Sequence, residues 1–169
     1  SLHAHPHLPG TLLETVERIR KNGGRAVAIQ ADLSDSPARA RLVDEARAAL
    51  LAENTEPFAD LEKAGNHIGD ISVHGGELFA GIEWFEDGRG RDIQIAVYDT
   101  ETLRYKKSIE WEPSSGQVEV SALAVDAETG SVWMTDWVNG TYVFRYDMAT
   151  DAYLGKLHLR PVPQWQQGI

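Results

Sequence analysis

Four residues recur as a set. Tyr98, Asp99, Thr102 and Tyr105 return 48 positions later as Tyr146, Asp147, Thr150 and Tyr153. An Asp that opens a turn accepts hydrogen bonds from N–H groups two or three residues on, so each set marks a tight hairpin. Short alternating segments flank these turns, and the period-two pattern predicts strands at 70–74, 77–83, 93–99 and 104–110. A second group follows at 121–126, 131–136, 141–147 and 152–159. Further turns fall at His74-Gly75-Gly76-Glu77 and from Asp126 to Gly130, and Glu86 to Asp92 reads as a longer hairpin connection. The expectation is two antiparallel units of four strands each. Ile71–Val73 and Glu77–Ile82 in the first correspond to Leu123–Val125 and Ser131–Thr135 in the second.

The rest of the chain is different in kind. Residues 1–57 contain no aromatic residue, whereas all five Trp, five Tyr and four Phe lie between Phe58 and Trp165. Up to Leu51 there are seven Lys/Arg against six Asp/Glu, and from Ala52 on there are nine against twenty. One compact domain usually mixes its composition, so the chain reads as two segments. The acidic balance and the pI near 5.0 argue against nucleic acid. The one basic group, Arg18, Arg20, Lys21 and Arg25, is diluted by Glu14 and Glu17. The absence of Cys excludes disulfides and thiolate chemistry and leaves the redox compartment undetermined. No apolar run reaches the roughly 18 residues that span a bilayer, and no signal-peptide pattern opens the chain. Ser1 in place of Met reads as a trimmed, processed or incomplete chain.

In the first segment Thr11 and Glu14 have the spacing of a capping box. Leu12, Val16 and Ile19 recur at helical spacing, Leu13 widens their stripe, and Gly23–Gly24 ends the helix. Arg25–Gln30 predicts a short buried strand. Ser36 and Pro37 predict the start of a second helix carrying Leu42, Val43, Ala46 and Leu50. The expected order is helix–strand–helix, a Rossmann-like piece of an α/β fold.

Leu8-Pro9-Gly10-Thr11-Leu12, Glu14-Thr15-Val16, Gly23-Gly24-Arg25-Ala26-Val27-Ala28 and Ala31-Asp32-Leu33-Ser34-Asp35 resemble the short-chain dehydrogenase/reductase family, in particular its hydroxysteroid-dehydrogenase-like members. The likeness covers residues 6–51. It implies that Asp32 and Leu33 sit against the adenine of NAD or NADP; without the rest of the cofactor site, Asp32 reads as a turn or cap residue. The family's phosphate-binding glycine loop, its Asn-Asn-Ala-Gly strand and its Tyr-x-x-x-Lys pair are not in this sequence. Tyr98, Tyr142, Tyr146 and Tyr153 have no Lys four residues on, and Tyr105 is followed at once by Lys106 and Lys107.

A period in the forties with four strands per unit is the signature of propeller blades. Residues 66–169 resemble the broad class of six- to eight-bladed β-propellers, which includes sugar lactonases, YVTN-type repeat proteins and quinoprotein-like domains. The resemblance implies an incomplete ring of two blades, since a propeller closes with at least roughly four. It also places Asn66, His67 and Asp70 on channel-facing loops, and Glu83 and Asp136 at matching strand ends beside Trp84 and Trp137. In lactonase-like propellers such groups bind calcium, which makes these five a candidate metal or ligand rim. The alternative is that Asp70 and Asp136 cap turns while the Trp residues cover blade edges.

His3, His5 and His7 alternate and suit a transition metal or a plain terminal segment. Ser114-Ser115-Gly116 is a turn and no nucleophile elbow. Pro161-Val162-Pro163 reads as an extended connection or a proline-motif ligand.

The expected organisation is an α/β fragment at 1–51, a linker or seam at 52–66 and two blades at 67–169, a chimera-like or truncated chain. Two blades leave two apolar faces open, so an oligomer or protein partner covering faces and edges is expected, with the helices of the first segment as another cover. Three functions follow: a non-catalytic binding module, which this reading favours; a calcium- or ligand-dependent propeller site; and an inactive nicotinamide-dependent reductase remnant. No cofactor is expected, with calcium and NADP as the candidates should one bind.

Overall fold

The computed structural model describes residues 11–48, 52–137, 140–163 and 166–169. The chain divides into two compact units after Leu51. Among the described residues its regular structure consists of two α-helices followed by two four-stranded antiparallel sheets with a 3-10 turn at Pro113–Ser115 between them, an α+β content dominated by strands.

In the first unit α1 runs from Leu12 to Lys21. The capping box forms: Thr11 Oγ1 accepts the Glu14 N–H at 3.2 Å, and Glu14 reaches back to the Thr11 N–H at 2.5 Å. At the other end Gly23 N–H bonds to Arg20 O and Gly24 N–H to Ile19 O, which satisfies the last carbonyls. Val16 is buried, while Leu12, Leu13 and Ile19 remain 38–53% exposed. α2 spans Ser36–Ala48. Its cap is Asp35, whose Oδ2 accepts the Ala38 N–H at 3.2 Å, one residue before the expected Ser36. Val43 and Ala46 are exposed, and Leu50 lies outside the described residues.

The strand predicted at Arg25–Gln30 does not form; residues 24–32 have no regular structure. A strand needs a neighbour for its N–H and C=O groups, and among the described residues this unit has none. The apolar run alone does not supply it.

In the second unit β1 (His67–His74), β2 (Glu77–Glu86), β3 (Arg89–Asp99) and β4 (Tyr105–Glu110) pair in chain order. So do β5 (Ala122–Asp126), β6 (Ser131–Thr135), β7 (Tyr142–Asp147) and β8 (Tyr153–His158). The predicted and observed strands agree within a few residues at each end.

The two sheets share their construction in detail. Glu77 pairs with Asp99 and Leu78 with Tyr98; Ser131 pairs with Asp147 and Val132 with Tyr146. Asp99 Oδ1 accepts the Thr102 N–H and hydroxyl, each at 2.8 Å, and the Glu101 N–H at 3.1 Å. Asp147 Oδ1 accepts the Thr150 N–H and hydroxyl, each at 2.8 Å, and the Ala149 N–H at 3.0 Å. Leu103 and Asp151, 48 positions apart, both take left-handed φ, at 54° and 61°. The register then slips at Val97/Tyr98 and again at Arg145/Tyr146.

The core lies between the sheets. Phe79, Ile95, Val97 and Ile109 of the first meet Leu123, Met134, Phe144 and Tyr146 of the second. Unlike faces meet. Tyr146 points at the first sheet, but its counterpart Tyr98 points away from the second, into a separate cluster with Ala80, Ile82 and Ala96. Residues 52–66, expected as a linker, cover that outer cluster. Phe58 and Leu61 pack on it, Tyr98 Oη donates to Pro57 O at 2.6 Å, and Gln94 Nε2 donates to Lys63 O at 2.9 Å. Covering this face keeps its apolar area out of water at roughly 25 cal/mol per Å².

Side chains of β1 also tie the sheets together at their inner strands. Asp70 Oδ2 accepts the Leu123 N–H at 3.0 Å and Ser72 Oγ accepts the Val125 N–H at 3.3 Å. Edge N–H groups of β5 that no strand pairs with are satisfied in this way.

Candidate functional site

The strongest concentration of polar groups sits where the end of β2 meets residues 118–121, the extended run leading into β5. Gly69 lets that run approach: a Cβ there would stand 1.7 Å from Val120 O. Glu83 lies inside β2 at its register shift, not at a strand end matching Asp136 as expected, and has no solvent exposure. Its Oε2 accepts the Val120 N–H at 2.9 Å, and its Oε1 lies 2.9 Å from His67 Nδ1. Gly90 leaves room for this carboxylate, because a Cβ there would come within 2.0 Å of Oε2. From the other side Asp136 Oδ1 accepts the Val118 and Glu119 N–H groups, both at 3.1 Å. Glu119, 7% exposed, accepts the Trp137 N–H at 2.6 Å.

Two carboxylates, Glu83 and Asp136, thus hold one stretch of backbone, Glu119 ties that stretch to the Trp137 N–H, and the His67 imidazole lies beside Glu83. Burial raises Glu83 above the usual carboxylate range, although His67 and the Val120 N–H work in the opposite direction. Burial pushes Asp136 up to about 6, again against its backbone N–H partners. The His67 side chain is 48% exposed, and its ring lies 5.4 Å from that of Phe85. With Nδ1 turned to Glu83, Nε2 is the nitrogen left for other partners. A cleft of about 200 Å³ opens here, lined by His67, Phe85, Glu119, Ser121 and Trp137 among others.

The structure thus brings His67 and Glu83 into contact and sets Glu83 and Asp136 on opposite sides of the same run. It does not gather the five rim candidates around one point. Asn66 Oδ1 accepts the Phe85 N–H at 2.7 Å and its Nδ2 donates to Phe85 O at 3.1 Å, extending the β1–β2 pairing. Asp70 is engaged by the Leu123 and Ile71 N–H groups. Among the described residues no three His, Asp or Glu side chains converge as a metal ligand set.

In the first unit Asp32 Oδ1 accepts the Ser34 N–H at 2.8 Å and the Ser34 hydroxyl at 2.6 Å, forming the turn before α2. Leu33 is 65% exposed. His3, His5 and His7 lie outside the described residues. Sequence reasoning missed Glu119, Phe85 and Ser121. Only the alternation Gln117-Val118-Glu119-Val120 hinted at Glu119, and it gave no sign of which side chain would turn inward.

No protein-family model matches this chain, and no curated protein matches it.

Proposed function

We propose that residues 67–169 are two neighbouring blades of a β-propeller, covered on one face by residues 52–66, and act as a non-catalytic binding module. The dehydrogenase-like first segment is then an inactive remnant. The observation that carries this reading is the meeting of unlike faces. Two sheets of one design stack in the same sense, as successive blades do, whereas a sandwich closed on itself would bring like faces together. The engagement of Asn66, Asp70, Glu83 and Asp136 with backbone N–H groups supports a structural role for the rim. Assays for lactone and ester hydrolysis and for NADPH oxidation test the reading. No turnover is expected, and turnover that disappears in His67→Asn or Glu83→Gln would sink it.

A second reading rests on the cleft itself. There a buried carboxylate holds Nδ1 of an imidazole whose Nε2 remains free, the arrangement of an oriented base or ligand. Calcium or a small ligand binding there would raise the melting temperature of the folded protein. A calcium-dependent rise lost in Glu83→Gln would favour this second reading, and an NADP-dependent rise would favour the reductase one.

A further inference from the structure

We propose that the outer face of the second sheet docks on the same face of a second copy, related by a two-fold axis. This rests on the binding-module reading and names its partner. Ala124, Trp133, Val143 and Leu157, one from each strand, form an apolar groove of about 270 Å³ that Ile169 completes. Leu157 is 56% exposed. Its counterpart 48 positions earlier is Ile109, and that of Val143 is Ile95; both are fully buried against the neighbouring sheet. The groove therefore has the design of a surface that, elsewhere in the same molecule, is covered by a sheet.

The two ends of the stack are not alike. Residues 52–66 cover the other end and present Glu53, Glu56, Asp60 and Glu62 to solvent. A head-to-tail stack would set an apolar groove on this acidic lid. Like ends can meet only through a two-fold axis, which closes the assembly at two copies.

The contact is small. Four strands about 4.8 Å apart and about five residues long at ~3.4 Å each give a face of roughly 300 Å². That is well under the ~800 Å² per partner of a standard stable interface, so association is weak and concentration-dependent. Arg145 stands where the first sheet has Val97; its guanidinium lies 5.3 Å from the Trp133 ring centroid and its Nε donates to Ser131 Oγ at 2.8 Å. It bounds the apolar patch on that side.

Sedimentation equilibrium of the full chain from micromolar to millimolar concentration tests this. The expected mass rises to twice 18.7 kDa and no further. Leu157→Glu should hold the protein at one copy, and Ile71→Glu, on the exposed inner edge of the first sheet, should leave the dimer intact. Thermal melts of both variants check that they fold. Hydrogen exchange of the wild type supplies a readout free of mutation, with β6–β8 amides gaining protection on concentration. Growth to three or more copies, or loss of association in Ile71→Glu, would point to head-to-tail stacking and overturn the proposal. A monomeric wild type without turnover overturns the two-fold docking alone. Turnover abolished by His67→Asn overturns the module reading beneath it.

Discussion

Replacing Asp136 with Asn should remove much of the dependence of stability on pH between about 4 and 6. Asp136 Oδ1 accepts two backbone N–H groups, and the amide oxygen of Asn can accept the same two. What the substitution deletes is the charge. Burial pushes the carboxyl up to about 6, so the folded state holds a proton that the unfolded chain, with an ordinary value near 4, has already released. Stability is therefore greatest below the unfolded value and declines as pH rises through the folded one. At about 1.4 kcal/mol per pH unit the ceiling is about 3 kcal/mol. Asp136 is only half-buried, and solvent screening brings the expected loss nearer 1–2 kcal/mol. Glu83 shifts the same way for the same reason and adds to the decline. The aspartates that open the turns, Asp99, Asp126 and Asp147, lie below the usual range because Thr residues donate to them, so their contribution is lost on acidification instead. The wild type should accordingly be most stable near pH 4, about the unfolded value these aspartates share, and fall on both sides. Urea denaturation from about pH 2.5 to 8 measures this. Asp136→Asn should flatten the upper side, Glu83→Gln should flatten it independently, and the double variant should be nearly level to pH 8. An Asp136→Asn curve parallel to that of the wild type across the range would refute the burial argument.

Gly69→Ala places a Cβ 1.7 Å from Val120 O and forces main chain to move, so urea denaturation should show a loss of at least 1–3 kcal/mol, the usual range for overpacking. Phe58→Ala removes the aromatic cover from Ala80, Ile82 and Tyr98; because Phe58 is half-buried, a loss of about 2 kcal/mol is expected, somewhat below the range for fully buried Phe. Little or no change would mean that residues 52–66 do not shield the first sheet. Asp99→Ala and Asp147→Ala delete matching sets of three hydrogen bonds and should lower the melting temperature by similar amounts. A clear inequality would show that the two turns are not energetically equivalent.

What could be read from the sequence depended on how far apart the interacting groups lie. The Asp-x-x-Thr turns were legible because donor and acceptor fall within four residues, and the strands around them were legible because a hairpin supplies its own partner. Arg25–Gln30 has an apolar pattern as good as several of those strands, yet it stays irregular because, among the described residues, no second strand stands beside it. The capping residue of α2 was missed by one position because Ser36 and Asp35 both carry a suitable oxygen and the sequence does not say which backbone angle precedes the helix. The candidate rim was legible as a set of oxygen donors near strand ends, but not as what those donors meet. A carboxylate that could hold a cation equally accepts an N–H, and the choice depends on whether an unpaired amide lies opposite. Asp70 faces the edge of β5, and Glu83 and Asp136 face the run entering it, where no strand pairs with these N–H groups. Asp70 and Glu83 therefore hold the second sheet against the first, Asp136 ties the incoming run to its own sheet, and the cost of burying Glu83 and Asp136 appears as raised pKa values. His67 is the exception. Its Nδ1 meets Glu83, its ring edge reaches the cleft, and it is the one rim residue left with a nitrogen for a ligand. That is why His67→Asn separates a structural rim from a chemical one: it deletes the free nitrogen while leaving every carboxylate-to-backbone bond in place.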